Sequence, residues 1–344
     1  MQEINKDIAG QILAEIKLAK KILMHCHPSP DGDSLGSTLA MSHVLKAMGK
    51  EPTVIKGDSD LPKYLSKLPG YDTIVLKNIF EIDLKDFDLF LVLDTGSPDR
   101  VSKIQPLTLP LPIKTILIDH HISNQGFGDI SLILSDYSST CEILYDLLEM
   151  WQIDLSPQAA VCLFVGIYTD TGGFRYRTSK TSPPAETIGK AAKLAHIAPN
   201  YIDILHSMEN SNTKGRLIAQ GLLLHSIETH FNDSVAFVSV SKAELDAHKI
   251  TLDDISGLDV ANQLKSVIGW NMGISFIEKE PNYIGISFRS RDPERYDVAK
   301  VASFVKGGGH KAAAGARILG TLQEAKDQVL KAIAETYPDL KPGL

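Results

Sequence analysis

The sequence predicts an α/β protein of two parts: an N-terminal parallel-sheet domain and a smaller C-terminal α+β domain, joined by a helical connector. Three observations carry this. In the first half, short apolar, β-rich runs alternate with helix-spaced segments or loops, as in a parallel sheet with crossovers. Asp and His gather immediately after several of these runs. In the second half the runs alternate apolar and polar residues, and a Gly-rich turn precedes a final helix.

The elements follow in order. "KILMHC" (21–26) is a first strand, and 34–48 is an amphipathic helix ending at Gly49. "PTVIK" (52–56), "TIVL" (73–76), "DLFLVLD" (88–94) and "KTILID" (114–119) are further strands. Helices near 139–151 and 156–168 complete a domain over 1–195, and helical spacing interrupted near "NSNTKG" marks a connector over 196–230. The second domain, 231–344, holds strands in "SVAFVSVS" (234–241), "GISFIEKE" (273–280) and "YIGISFRSR" (283–291), the glycines at 307–309 and a helix at 321–336.

Composition sets the class. The chain has 344 residues, 43% of them apolar and 22% charged, with mean hydropathy −0.03, which excludes a disordered chain. A net charge of −7 excludes a protein that coats nucleic acid along its surface, while leaving room for a local basic pocket. Cys26, Cys141 and Cys162 are far apart and form no C-x-x-C pair, so they are expected to be small buried hydrophobes of a reducing compartment. The N-terminus alternates charged and apolar residues at helical spacing, and no run reaches the ~18 apolar residues of a membrane span. A cytoplasmic protein with no membrane partner is expected.

The placement of the acids points to chemistry. His27, Asp31 and Asp33 follow the first strand, Asp94 ends the "LFLVLD" run, "DHH" (119–121) ends "TILI", and Asp170 ends "VCLFVGIYTD". The carboxyl ends of parallel strands share the edge where ligands bind. A plainer reading exists for each cluster: an Asp after a strand is often a turn former or a helix cap, and Asp33 before "SLGS" fits a cap. Four such clusters converging would raise one another's pKa unless a cation neutralised them. Carboxylates mixed with imidazoles, without thiolate, suit Mn or Mg better than structural zinc. Five carboxylates and three imidazoles exceed the needs of one ion. Two divalent ions ~3.5–4 Å apart are the arrangement used for phosphoryl hydrolysis.

"HPSPDGDSLGS", "VLDTG", "IDHHISN" and "GIYTDTGGFRY", in that order, resemble the four motifs of the DHH phosphoesterase superfamily. "SFRSR" (287–291) with "GGGHKAAAG" (307–315) resembles its DHHA1 substrate-binding domain, and together the motifs span nearly the whole chain. The resemblance implies that His27, Asp31 and Asp94 bind one ion, and that Asp33, Asp94, His120 and Asp170 bind the other, with Asp94 as bridge. It further implies that His121 faces the scissile phosphate while Asp119 orients a ligand histidine. Dimerisation through the first domain is also implied. In the opening loop, Gly32 is expected to turn the backbone, and Gly36 and Ser37 to begin the helix.

"KGGGHKAAAG" gathers backbone N–H groups, His310 and Lys311 at a turn, expected to precede a small-residue helix. Arg289 and Arg291 share one strand face, and residues 281–320 carry seven Lys and Arg against three acids. Arg289, Arg291, Gly307, Gly308, Gly309 and His310 are therefore the expected holders of a terminal base or phosphate. A flexible turn and a solvated edge are the plainer alternatives. Phe174, Arg175 and Tyr176, beside Asp170, fit a base clamp or simply core and rim, with Phe174 in the core.

The expected activity is two-metal hydrolysis of very short oligoribonucleotides to mononucleotides, together with conversion of pAp to AMP. The small basic pocket and scarcity of aromatics disfavour long single strands. The alternatives are a phosphodiesterase for cyclic or linear dinucleotides such as c-di-AMP or pApA, and, from another class, a non-catalytic nucleotide sensor. A sensor would be expected to have lost a metal ligand, and every expected ligand is present.

Overall fold

The computed structural model describes residues 3–105, 107–175 and 184–340. The chain forms two compact units, Met1–Ser211 and Asn212–Leu344. Among the described residues, no helix is long and apolar enough to cross a membrane.

The first unit contains α1 (Lys6–Leu18), β1 (Lys21–His25), α2 (Gly32–Ala47), β2 (Glu51–Ile55), β3 (Leu89–Leu93), β4 (Thr115–Asp119), β5 (Ile130–Ile133), α3 (Thr140–Met150), α4 (Pro157–Asp170), α5 (Pro184–Ile197) and α6 (Tyr201–Glu209). Its sheet is wholly parallel in the order β2-β1-β3-β4-β5. Every residue of β3 is buried: Leu89, Leu91 and Leu93 join the helical core, while Phe90 and Val92 join a second core with Ile79, Val101 and Ile113. Burial on both faces is why the run is apolar throughout instead of alternating. The order reverses between β1 and β3, so the crevice at their carboxyl ends is the sheet's topological switch point.

Several expectations are corrected. "TIVL" is not a strand; its residues lie at a 3₁₀ turn, Tyr71–Thr73, and a single bridge between Ile55 and Val75. The short edge strand β5 carried no strong signal. Asp170 ends the helix α4 instead of a strand. α2 begins at Gly32 with Asp31 as its N-cap, so Gly36 and Ser37 lie inside it. It is also buried around most of its circumference, and so is not amphipathic. It tolerates this because Ser37 Oγ and Thr38 Oγ1 both donate to the Ser34 carbonyl, at 3.2 and 2.8 Å.

Small residues bring α2 and α4 together. A Cβ on Gly32 would lie 2.2 Å from Thr169 Oγ1, and one on Gly36 would lie 2.5 Å from the Cys162 carbonyl. A Cβ on Gly166 would meet Cys141 Sγ at 2.2 Å and Asp33 Oδ1 at 2.9 Å. Gly32 is thus required for close approach of the helices, where a turn was expected. Cys26, Cys141 and Cys162 are free and buried in this region.

The second unit contains α7 (Lys214–His225), β6 (Glu228–His230), β7 (Val235–Val240), α8 (Lys242–Ala247), α9 (Leu252–Ile255), α10 (Val260–Leu264), β8 (Met272–Glu280), β9 (Tyr283–Ser290), α11 (Val298–Phe304), β10 (Gly308–His310), β11 (Ala313–Leu319) and α12 (Leu322–Thr336). Its mixed sheet runs β10-β11-β9-β8-β7-β6. Phe237, Phe276 and Phe288 on one face pack with α11 and α12, whereas Ala236, Val238 and Val240 on the other pack with α7 and α10. The small-residue segment after "GGGH" is the strand β11 and not a helix, paired to β9 from Ala313 to Leu319.

Helix packing at Gly166 gives a paired prediction. Ala ordinarily stabilises a helix interior over Gly by about 0.5–1 kcal/mol. Gly221→Ala in α7, where nothing lies within 4 Å, is expected to show that gain in urea denaturation. Gly166→Ala is expected to lose about 1–3 kcal/mol through overpacking. Equal or greater stability of Gly166→Ala would contradict the close-packing assignment.

Candidate metal centre

Local structure explains how each acid reaches the edge. Asp31 Oδ1 caps α2, accepting the N–H groups of Asp33 (3.1 Å) and Ser34 (3.0 Å). Its Oδ2 is 3.8 Å from His27 Nε2. The cap of α2 is therefore Asp31, where Asp33 was the cap considered, and the other oxygen of the same Asp31 carboxylate faces His27. Asp33, in the first turn, accepts the N–H groups of Thr140 on Oδ2 (2.7 Å) and Cys141 on Oδ1 (2.9 Å) at the start of α3, where the helix dipole favours a negative charge. Asp94 follows β3 with φ +52, a left-handed conformation that Asp adopts more readily than most residues. Its N–H still donates to the Ile118 carbonyl at 3.1 Å, while its side chain turns into the crevice.

The side chains meet around Asp94. His27 Nε2 is 3.4 Å from Asp94 Oδ2, and His120 Nε2 is 3.6 Å from Asp94 Oδ1. His120 Nε2 also lies 3.3 Å from Asp170 Oδ2 and 3.8 Å from Asp33 Oδ2. Among the described residues, three groups have donor atoms all within 4.8 Å of one another: His27, Asp31 and Asp94; Asp33, His120 and Asp170; and Asp94, His120 and His121. Seven of the eight metal-centre and catalytic residues picked from the sequence lie in these groups, and the eighth, Asp119, is bonded to His121.

The imidazoles are oriented as ligands would be. His27 Nδ1 is 3.1 Å from the Pro28 carbonyl, and His120 Nδ1 is 3.4 Å from the Tyr137 carbonyl. A carbonyl only accepts, so Nδ1 carries a proton in each ring and Nε2 faces the carboxylates. At His27 burial opposes a second proton, but the hydrogen bond and charge of Asp94 outweigh it and raise its pKa, so a cation there would displace the Nε2 proton. The electrostatics call for a cation. Burial, then the charge of Asp94, holds the Asp33 carboxyl well above the ordinary range. Burial, then Asp33 and Asp31, does the same to Asp170. Burial also pulls His120 down. Burial would raise Asp94, but the hydrogen bond and charge of His27, with His120 and His121, bring it below the usual range. A divalent cation reverses the cost of ionising Asp33 and Asp170.

His121 is held differently. Its Nδ1 donates to Asp119 Oδ1 at 2.8 Å, and Asn124 Nδ2 donates to Asp119 Oδ2 at 2.7 Å and to the Thr95 carbonyl at 3.0 Å. Burial opposes protonation of His121, but the Asp119 bond and the charge of Asp94 outweigh it and raise its pKa to about 9. Asp119 thus orients His121, which is not in either three-residue group containing His27 or Asp170. Asn124, Thr140 and the buried His25, whose Nε2 lies 3.3 Å from Thr95 Oγ1, were missed as supporting residues. Only Asn124 carried a signal, being in the quoted "IDHHISN".

Phe174 packs on the first unit's core and edge-on to Tyr168, whereas Arg175 is exposed; Tyr176 lies outside the described residues. In the second unit, Arg289 Nε and Nη2 donate to Asp259 Oδ2 at 3.0 and 2.8 Å, and Nη1 donates to the Phe288 carbonyl. Arg291 Nη1 donates to the carbonyls of Lys265 and Val267. Both arginines thus turn to the same neighbouring segment. Gly308, Gly309 and His310 are exposed on β10. A Cβ on Gly307 or Gly309 would clash with the backbone of β11, at 2.3 and 2.6 Å, while around Gly308 there is open space. The hairpin therefore demands the first and third glycines but not the second.

Comparison with known proteins agrees with this architecture. The model of the DHH family N-terminal domain matches residues 21–167, and that of the DHHA1 domain matches 232–337. The chain belongs to the DHH/DHHA1 family and is a phosphoesterase. It is 28% identical to the bifunctional oligoribonuclease and PAP phosphatase NrnA of Thermus thermophilus, over 94% of this chain and 93% of that one. It is 25% identical to the cyclic-di-AMP phosphodiesterase GdpP of Geobacillus thermodenitrificans, over 96% of this chain and 49% of the relative. The crystal structure of an exopolyphosphatase-related protein from Bacteroides fragilis superposes with TM-score 0.86 at 26% identity, covering 99% of both chains.

Mn²⁺ is expected to raise the melting temperature of chelator-treated protein. At a hundred times Kd the gain corresponds to about 2.7 kcal/mol. Asp94→Ala is expected to lose that gain, and an equal gain in this variant would place the cation elsewhere.

Proposed function

We propose that the protein is a two-metal phosphoesterase that hydrolyses very short oligoribonucleotides to mononucleotides and pAp to AMP. The supporting observation is the division of the Asp94 carboxylate, with Oδ2 toward His27 and Oδ1 toward His120. On this reading His27, Asp31 and Asp94 hold one ion; Asp33, Asp94, His120 and Asp170 hold the other. Mixed imidazole and carboxylate donors favour Mn²⁺, with Mg²⁺ as the second candidate. When bound, the ions supply the positive charge that receives a phosphate and lowers the pKa of water.

The chain's own groups do the rest. Asp119 keeps His121 protonated, so His121 is suited to neutralise the phosphate and give a proton to the leaving oxygen. Asn124 fixes the carboxylate that fixes His121. In the second unit, Gly308 leaves room for a nucleotide against β10, on which His310 is exposed, and Arg289 and Arg291 keep further N–H donors for an anionic group. The name of the Thermus relative supports short RNA and pAp as substrates. The name of the Geobacillus relative favours dinucleotides as the second reading.

Incubation of the Mn²⁺-loaded protein with a labelled diribonucleotide, a 20-mer, pAp and c-di-AMP separates these. Mononucleotide release from the diribonucleotide and AMP from pAp, both well above turnover of the other two, is the expected result. Preference for c-di-AMP would establish the second reading, and no turnover of any substrate would leave a sensor. Asp119→Asn is expected to cut turnover by about 10²–10⁴-fold, as His121 loses its orienting charge.

A further inference from the structure

A second polar cluster lies behind the metal centre, on residues that no motif of the sequence singles out. Glu142 on α3 is fully buried. Its Oε2 accepts the N–H (2.9 Å) and Oγ–H (2.6 Å) of Ser138. Its Oε1 accepts from Lys190 Nζ (3.0 Å) and Thr187 Oγ1 (3.1 Å), both on α5. Lys190 Nζ also donates to Asp146 Oδ2 at 2.7 Å, and that oxygen accepts the Tyr137 hydroxyl at 2.9 Å. The ammonium sits 4.9 Å from the centre of the Tyr137 ring.

Three of these bonds, from the Ser138 N–H and Oγ–H and from the Tyr137 hydroxyl, hold the segment from Tyr137 to Cys141, and the bonds of Lys190 and Thr187 fix the two carboxylates that accept them. That segment offers the Tyr137 carbonyl to His120 Nδ1, and the N–H groups of Thr140 and Cys141 to Asp33. His120 and Asp33 belong to the same group of candidate ligands. A buried ion cluster is a weak source of net stability, because desolvation offsets the attraction. What it supplies is a fixed position for the chain it grips.

We infer that Glu142, Lys190, Asp146 and Tyr137 form a positioning device for the ion held by Asp33, His120 and Asp170. One ammonium shared between two carboxylates locks the carbonyl that orients His120 and the amides that orient Asp33. These are positioning residues, since none lies among the candidate ligands themselves. The inference rests on the metal-centre reading above.

The test is Mn²⁺ affinity by isothermal titration, well below the melting temperature of each metal-free variant. Lys190→Met removes the shared charge and keeps most of the stem; affinity is expected to fall about 10–100-fold. Lys190→Arg restores the charge and is expected to recover most of the loss. A folded Lys190→Met protein with wild-type affinity overturns the inference, as does an Arg variant no better than Met. Should Lys190→Met fail to fold, Tyr137→Phe decides, since it removes only the hydroxyl bond to Asp146. A several-fold loss supports the inference and unchanged affinity overturns it. Wild-type protein with no Asp94-dependent Mn²⁺ binding would instead refute the metal-centre reading.

Discussion

Asp94 is the constraint on which the first unit's arrangement turns. One buried carboxylate faces histidines from two different loops, and its backbone takes a left-handed conformation to do so. Around it, Asp33 and Asp170 are held where their ionised forms are disfavoured. Such a cluster is costly as a structural feature and sensible as a cation site. The parallel sheet supplies three of the contributing loops at its switch point, because parallel strands deliver all their carboxyl ends to one edge.

The fourth contribution comes from a helix, which needs a different device. Asp170 reaches the site because α4 lies almost in backbone contact with α2, through glycines that leave no room for a side chain. Ser37 and Thr38 on α2 satisfy their hydroxyls within the helix, so burying them carries little penalty. The start of α3 then supplies the two N–H groups that anchor Asp33. Electrostatic need and tight packing thus coincide in the same few residues.

Much of this was legible in the sequence, for identifiable reasons. Fully buried strands such as Leu89–Leu93 announce themselves as apolar runs, and acids directly after them mark the edge. "TIVL" misled because Ile74 packs in the helical core and Val75 against the second core from an irregular segment that joins the sheet by one bridge. The "AAAG" segment looked helical by its small residues, yet they are small because β11 lies against glycine-rich β10. Asp31 shows why local signals stay ambiguous: the same side chain caps a helix and faces His27. The Glu142–Lys190 cluster had no sequence signature, since its members become neighbours only when α3 and α5 pack.

The central claim is that Asp94 joins two ions. The most direct measurement is the Mn²⁺ content of dialysed protein together with its electron paramagnetic resonance spectrum. Two ions per chain with an exchange-coupled spectrum, lost in Asp94→Ala, is the predicted result. A single ion per chain with an uncoupled spectrum in the wild-type protein would contradict it.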